Sequence, residues 1–498
     1  MLAGAIVLSG SGCASSVSSA AGRSTSASPS LDVSEPSLPS SGVDWGERTA
    51  EATSLLAELV RADTSAWDRS AMDAAAQAVV SFLRRNNVEA EVVPMGALGA
   101  GVFALLPAAV SDPEPPLLLA SHLDTYSVDA PLWDPATPPF GAVISNDALF
   151  GRGVLSGKGA AAVWATTLAI LGQRAARQDR DIILCLIPDG LAGERDGTKG
   201  LDLMIRRHPA VATASVAITG TGLGIDDWLE DGRTIHYVTH GELGFARLSV
   251  AALSDPEERN ANARLARALK AIAENPPAPR LSQAAMQLFD AISDDSSFPK
   301  NLALRSELLA RIFFLPDLAD RPSTRDLAAD HIRIAAIAGG ELERSVPALR
   351  ARALLWASLL PGTTPVAIAE YIRAVIEDPA VHLTILEGAE AYTDAPSATV
   401  ERILRRHLKT LPNAPREVVC FGFGRGPSIN RGLSRIGIRT YGIFPLIAQE
   451  NDMRGIEGRN EHVSIANIRR ALSTMTAIVD ELTRAPFANS EDPTDIRP

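Results

Sequence analysis

The chain reads as an α/β protein: a mainly parallel sheet with helices on both faces, joined to a second, α+β unit. Three observations point there. Apolar strand-like runs alternate with stretches of helical periodicity through the first half. After about Gly241 the rhythm changes to strands such as GFARLSVAAL and LRARALLWASLL, interleaved with helices. Strand-like runs then return at VVCFGF and IRTYGIFP, before a long helical pattern beginning at IANIRRAL. A length of 498 residues is too great for one ordinary core and fits two globular units and a tail. With 46% hydrophobic and 21% charged residues, a large core can be buried. The net charge of −12 argues against nucleic acid as a partner, because phosphate binding needs a basic surface.

Taken in order, residues 1–13 (MLAGAIVLSGSGC) form an apolar run ending in small residues and Cys13, similar to a bacterial lipoprotein signal. Lipidation of Cys13 would make this an exported, membrane-anchored protein of a bacterial envelope. No later stretch approaches ~20 consecutive apolar residues, so that anchor is the expected membrane contact. Residues 14–42 are rich in Ser, Ala and Pro, the composition of a disordered tether. From Val43, TAEATSLLAELVRA and MDAAAQAVVSFLRRN carry apolar residues at helical spacing. Strands follow at VEAEVV, GVFALLP and PLLLAS, then a helix at AAAVWATTLAILGQR and a strand at DIILCLIP. Residues 43–242 and 389–485 thus make the main domain, 243–388 the second unit, and 486–498 a frayed tail. Helices around 281–314 fall within the second unit, which reads as two helices packed on an antiparallel sheet. The three cysteines, Cys13, Cys185 and Cys420, are too few for a disulfide framework. Cys185 and Cys420 lie in apolar runs and read as core residues.

His122 falls just after PLLLAS, at the carboxyl end of a strand, where ligands gather on parallel sheets. The run from there contains the pair His122 and Asp124, a spacer from Trp133 to Pro139-Phe140, Gly151-Arg152-Gly153, and Lys158-Gly159. These residues at these spacings resemble the dinuclear-zinc peptidase and amidohydrolase family of aminoacylase, succinyl-diaminopimelate desuccinylase, acetylornithine deacetylase and carnosinase. The resemblance covers roughly residues 43–485 and is strongest at 116–160 and 420–465. It implies a zinc-peptidase-like catalytic domain with an inserted lid or dimerisation domain, and a homodimer formed through the lid.

Such a family needs two histidines and three carboxylates to clamp two zinc ions ~3.5–4 Å apart, and a glutamate as general base. By resemblance His122 is a metal ligand, and Asp124 is the carboxylate that orients a ligating imidazole. The bridging aspartate falls on Ser156. In PDGLAGERDG, Asp189 matches, but the base falls on Gly190 and a ligand on Leu191. The third carboxylate falls on Thr219 or Gly220, and the last histidine on Glu457, which still offers a carboxylate; His462 does not match. Of the substrate groups only Arg431 remains. The lid histidine is missing from SDPEERNA, and the lid asparagine and arginine fall on Arg344 and Ser358.

A pocket so poor in acids is expected to hold no tightly bound cofactor. The leading expectation is therefore a degenerate, non-catalytic relative that binds a peptide, an N-acyl amino acid or a protein partner in the inherited cleft. The alternative keeps zinc-dependent hydrolysis of peptides or N-acyl amino acids, with Asp189, Glu194, Asp196 and Glu457 recruited around a rearranged site. For Glu194 and Asp196, which sit among Gly, Arg and Lys, a solvated loop is the simpler reading. A third reading makes Ser156 a nucleophile with His122 as base and Asp124 orienting it; the simpler one is an inert hydroxyl in a vacated pocket.

Overall fold

In the computed structural model the described residues are 42–485, without 66–67, 175–177, 192–198, 231, 256–259, 295, 341–346, 410–415, 450–455 and 457. The expected signal with Cys13, the tether before Gly42, Glu194, Asp196, Arg344, Glu457 and the tail 486–498 lie outside them.

The first part of the chain runs α1 (Trp45–Arg61), α2 (Arg69–Arg85), β1 (Glu89–Pro94), β2 (Ala100–Leu106), β3 (Glu114–His122), β4 (Val143–Ser145) and β5 (Ala148–Phe150). It continues with α3 (Gly157–Gln173), β6 (Arg180–Ile187), α4 (Lys199–Arg207), β7 (Val216–Thr219), β8 (Leu223–Asp226) and β9 (Thr234–Glu242). Sequence dictates these starts locally. Asp44 opens α1 by accepting the N–H groups of Gly46 and Glu47, and Asp68 opens α2 by accepting that of Ser70.

Next come β10 (Gly244–Leu253), α5 (Ala261–Glu274), α6 (Gln283–Ser293), α7 (Lys300–Arg305), α8 (Glu307–Phe313), α9 (Leu315–Asp320), α10 (Arg325–Ala328) and β11 (His331–Gly339). Then follow β12 (Arg350–Leu359), α11 (Pro365–Ile376), β13 (Val381–Ala389), β14 (Tyr392–Thr393), α12 (Ala398–Leu408) and β15 (Glu417–Gly424). The chain closes with α13 (Ile429–Arg435), β16 (Arg439–Gly442), β17 (Ile447–Gln449), β18 (His462–Ser464) and α14 (Ile465–Leu482).

The large sheet has the order β1-β2-β6-β3-β7-β16-β9-β8-β17, with β14 and β15 also paired to β9. Its centre, β6-β3-β7-β16, is parallel, and antiparallel strands extend it outward. Parallel central strands are covered on both sides, which is why PLLLAS and DIILCLIP read as unbroken apolar runs. On one face α3 lies against α1 and α14. Its residues from Gly157 to Leu171 are all buried, and Trp164 meets Phe444 edge-on at 5.9 Å. Each large apolar side chain so buried contributes ~1.5–3 kcal/mol. The parallel register brings the ends of β3, β6 and β7 to one edge, where His122 pairs with Ile187 and Ala120 with Thr219.

The second sheet is antiparallel, in the order β11-β12-β10-β13. Leu248, Val250, Leu265, Leu355 and Ile368 form its core against α5 and α11. Strand β11 is its outer edge, with Ile337 63% exposed. Among the described residues no helix is long and apolar enough to cross a membrane.

The helices from α6 to α10 correct the sequence reading. They fall inside the span assigned to the inserted unit, yet α6 packs along β15, and Leu288, Phe289, Leu315 and Leu318 join the core of the large sheet. Helical periodicity shows that a helix has an apolar face, and leaves open which sheet receives it.

Candidate functional site

His122 closes β3 and turns its Nδ1 toward Asp124, 3.0 Å from the main-chain oxygen and 3.1 Å from Oδ1. Both neighbours are acceptors, so in the neutral ring the proton sits on Nδ1. The Asp124 side chain is fully buried and doubly engaged: Oδ1 accepts the N–H of Gly190 and Oδ2 that of Leu191, each at 2.9 Å. Asp124 thus joins the end of β3 to the turn after β6.

The imidazole lies between two glycines. A Cβ at Gly157 would come within 2.4 Å of His122 Cε1, and one at Gly190 within 2.3 Å of His122 Cβ. Neither position accepts a side chain while His122 stays where it is. Ser156 is half-buried at the start of α3, and its side chain makes no capping hydrogen bond there.

Asp189 is buried, and its Oδ2 accepts the Gly200 N–H at 2.9 Å. Burial pushes its carboxyl up to about 6; the Gly200 N–H opposes the shift and the nearby Asp124 charge adds to it. Thr219 is buried at the end of β7. His462 stacks on Phe150 at 4.9 Å, and Ser358 accepts Arg333 Nη2 at 3.2 Å within the smaller sheet.

The retained motif residues are held by contacts within the chain. Gly151-Arg152-Gly153 is held by Glu461, whose Oε2 accepts the Gly153 N–H at 3.0 Å and whose Oε1 accepts that of Leu155 at 2.9 Å. Arg152 lies 3.5 Å from the same carboxylate and 5.5 Å over the Trp133 ring. Lys158 donates to the Ala62 carbonyl at 2.7 Å and lies over Phe140. Sequence reasoning missed Glu461. A lone acid in the polar run GRNEH carries no periodic signal, and its partners are about 300 positions away.

Arg431, expected to meet substrate, is 7% exposed, and its guanidinium contacts groups of the chain itself. Nη1 donates to the Glu390 carbonyl at 2.9 Å, Nη2 to the Leu243 carbonyl at 3.0 Å, and Nε lies 3.3 Å from Glu242 Oε2. Its counter-ion, 189 positions earlier, is not legible in PSINR.

The donor set can be tested against a pair of zinc ions. Among the described residues no three His, Cys, Asp or Glu side chains converge on one point. Asp124 spends both oxygens on main-chain N–H groups, and positions 156, 190, 191 and 219 offer Ser, Gly, Leu and Thr. His122 is then a single imidazole ligand without the carboxylates that neutralise two divalent cations. The described residues do not fit a dinuclear zinc centre.

Comparison with known proteins bears on origin. A family model described as Peptidase family M20/M25/M40 matches residues 118–481. The chain is 22% identical over 368 residues to "Probable carboxypeptidase S-like 2" of Dictyostelium discoideum, covering 71% of this chain and 69% of that one. It is 23% identical over 370 residues to "N-fatty-acyl-amino acid synthase/hydrolase PM20D1" of Mus musculus, 72% of each. Among solved structures it is similar to the dipeptidase Dug1p of Saccharomyces cerevisiae, with a TM-score of 0.67, 13% identity, and coverage of 89% of this chain and 98% of that one. At that identity the likeness speaks for the fold.

Proposed function

The chain belongs to peptidase family M20/M25/M40, and from that premise we propose that it binds, without hydrolysing, a peptide, an N-acyl amino acid or a protein partner in the inherited cleft. The observation that carries this reading is the packing of Gly190, to which the resemblance assigns the general base, against the His122 side chain, so that no acid fits there. The names of the relatives support the ligand class, since one concerns a carboxypeptidase and another N-fatty-acyl amino acids.

Metal analysis of the purified protein tests it. Well under one zinc per chain is expected, together with saturable binding of N-acyl amino acids or short peptides and no release of free amino acid. Two tightly held zinc ions per chain, with chelator-sensitive hydrolysis, would establish the zinc hydrolase instead. Labelling by a fluorophosphonate that disappears in Ser156→Ala would move the chemistry to the hydroxyl.

In the same reading a second copy pairs along β11. That strand is an uncharged edge beyond Arg333, with Ile334 and Ile337 exposed, and such edges present unpaired N–H and C=O groups. Ile337→Lys is expected to shift sedimentation from dimer toward monomer; identical behaviour of the two proteins would remove β11 from the interface.

A further inference from the structure

Two of the connections between the four-stranded unit and the body of the large sheet run side by side, outward at Leu243 between β9 and β10 and back at Glu390 between β13 and β14. One guanidinium holds both crossings, since Arg431 donates to the Leu243 and Glu390 carbonyls. The same group faces Glu242, the last residue of β9, and lies 4.8 Å from the Tyr392 ring centre on the returning strand and 5.7 Å from that of Phe245 on the outgoing one. Ser428, which caps α13, donates its hydroxyl to Glu242. Residues from the end of β9, the start of β10, the turn after β13, β14 and α13 therefore meet around one buried guanidinium and the carboxyl group beside it.

We infer that Arg431 and Glu242 form a clamp that fixes the angle at which the four-stranded unit meets the large sheet, making Arg431 a positioning residue. A planar fork hydrogen-bonded to two carbonyls defines direction as well as distance, which a point charge does not. Both crossings must change their main-chain angles if the smaller sheet swings, and each change breaks a hydrogen bond to the same side chain. The clamp is independent of whether the cleft hydrolyses anything.

Its electrostatics give a second handle. The groups facing the Glu242 carboxylate are Arg431 and Ser428 on the α13 side and Tyr392 on β14. Burial pushes this carboxyl up to about 7 from an ordinary 4.5, against the pull of Arg431. A raised value in the closed arrangement means that closing favours the protonated form. The stabilisation is fully present below the ordinary value and is lost as pH rises through about 7.

Hydrogen exchange of the full chain, corrected for intrinsic rates, tests the clamp. In Arg431→Met, amides of residues 241–246 and 388–393 are expected to exchange about tenfold faster or more, as for the loss of one or two charge-assisted hydrogen bonds, while β3 and β6 stay unchanged. Should that variant fail to fold, Arg431→Lys, which keeps the charge and loses the fork, is expected to show the same local loosening. In the wild type the crossings loosen between about pH 5 and pH 8, and Glu242→Gln removes that pH dependence. Unchanged exchange at the crossings, an increase spread evenly over the chain, or the same pH profile in Glu242→Gln would each overturn the clamp.

Discussion

Replacing Glu461 by alanine is expected to lower the free energy of unfolding by about 3–5 kcal/mol, the scale for breaking a buried charge pair by removing one partner. The variant would strand the Gly153 and Leu155 N–H groups and remove the carboxylate 3.5 Å from the buried Arg152. Urea denaturation followed by circular dichroism measures the loss. A change below about 1 kcal/mol would put Glu461 in the class of exposed surface pairs and remove it from the scaffold. Glu461→Gln, which keeps an acceptor and loses the charge, is expected to fall between alanine and wild type.

Restoring the family acids is expected to fail as a rescue. The triple variant Ser156→Asp, Gly190→Glu, Leu191→Glu supplies the missing carboxylates by sequence, but the glutamate at 190 needs a Cβ where the His122 Cβ already sits. The protein is expected to lose about 1–3 kcal/mol of stability, as overpacked cores do, and to bind less than one zinc per chain with no amidase activity. Gly190→Ala isolates the steric part and is expected to account for most of the loss. Uptake of two zinc ions by the triple variant, with hydrolysis of an N-acyl amino acid, would show that only the acids were lacking and that the backbone had kept its catalytic shape.

Much of the architecture is legible in the sequence, because strands covered on both faces leave unbroken apolar runs and amphipathic helices leave a period. PLLLAS and DIILCLIP announce β3 and β6 for that reason, and the same reading sets His122 at a carboxyl edge. The assignment of family positions to 156, 190 and 191 is a reading of the resemblance, made from their spacing to Gly151-Arg152-Gly153 and to Asp189. What sequence hides is choice of partner. The helices between residues 283 and 328 have an apolar face with two sheets to receive it, and only the folded chain shows α6 lying on β15. Glu461 and Glu242 look like ordinary solvated acids until residues hundreds of positions away are brought to them. The fit of His122 between Gly157 and Gly190 is also invisible in one dimension, because a glycine's reason lies in what approaches it.

The Arg152–Glu461 hub gives the Gly151-Arg152-Gly153 signature a use in folding that is separate from any chemistry in the cleft. Its carboxylate accepts two main-chain amides and faces one guanidinium, so it holds the loop in shape whether or not the cleft turns anything over. When a chain is sorted by such a signature, the mark certifies the lineage of a loop, and competence has to be read from the reagents beside it.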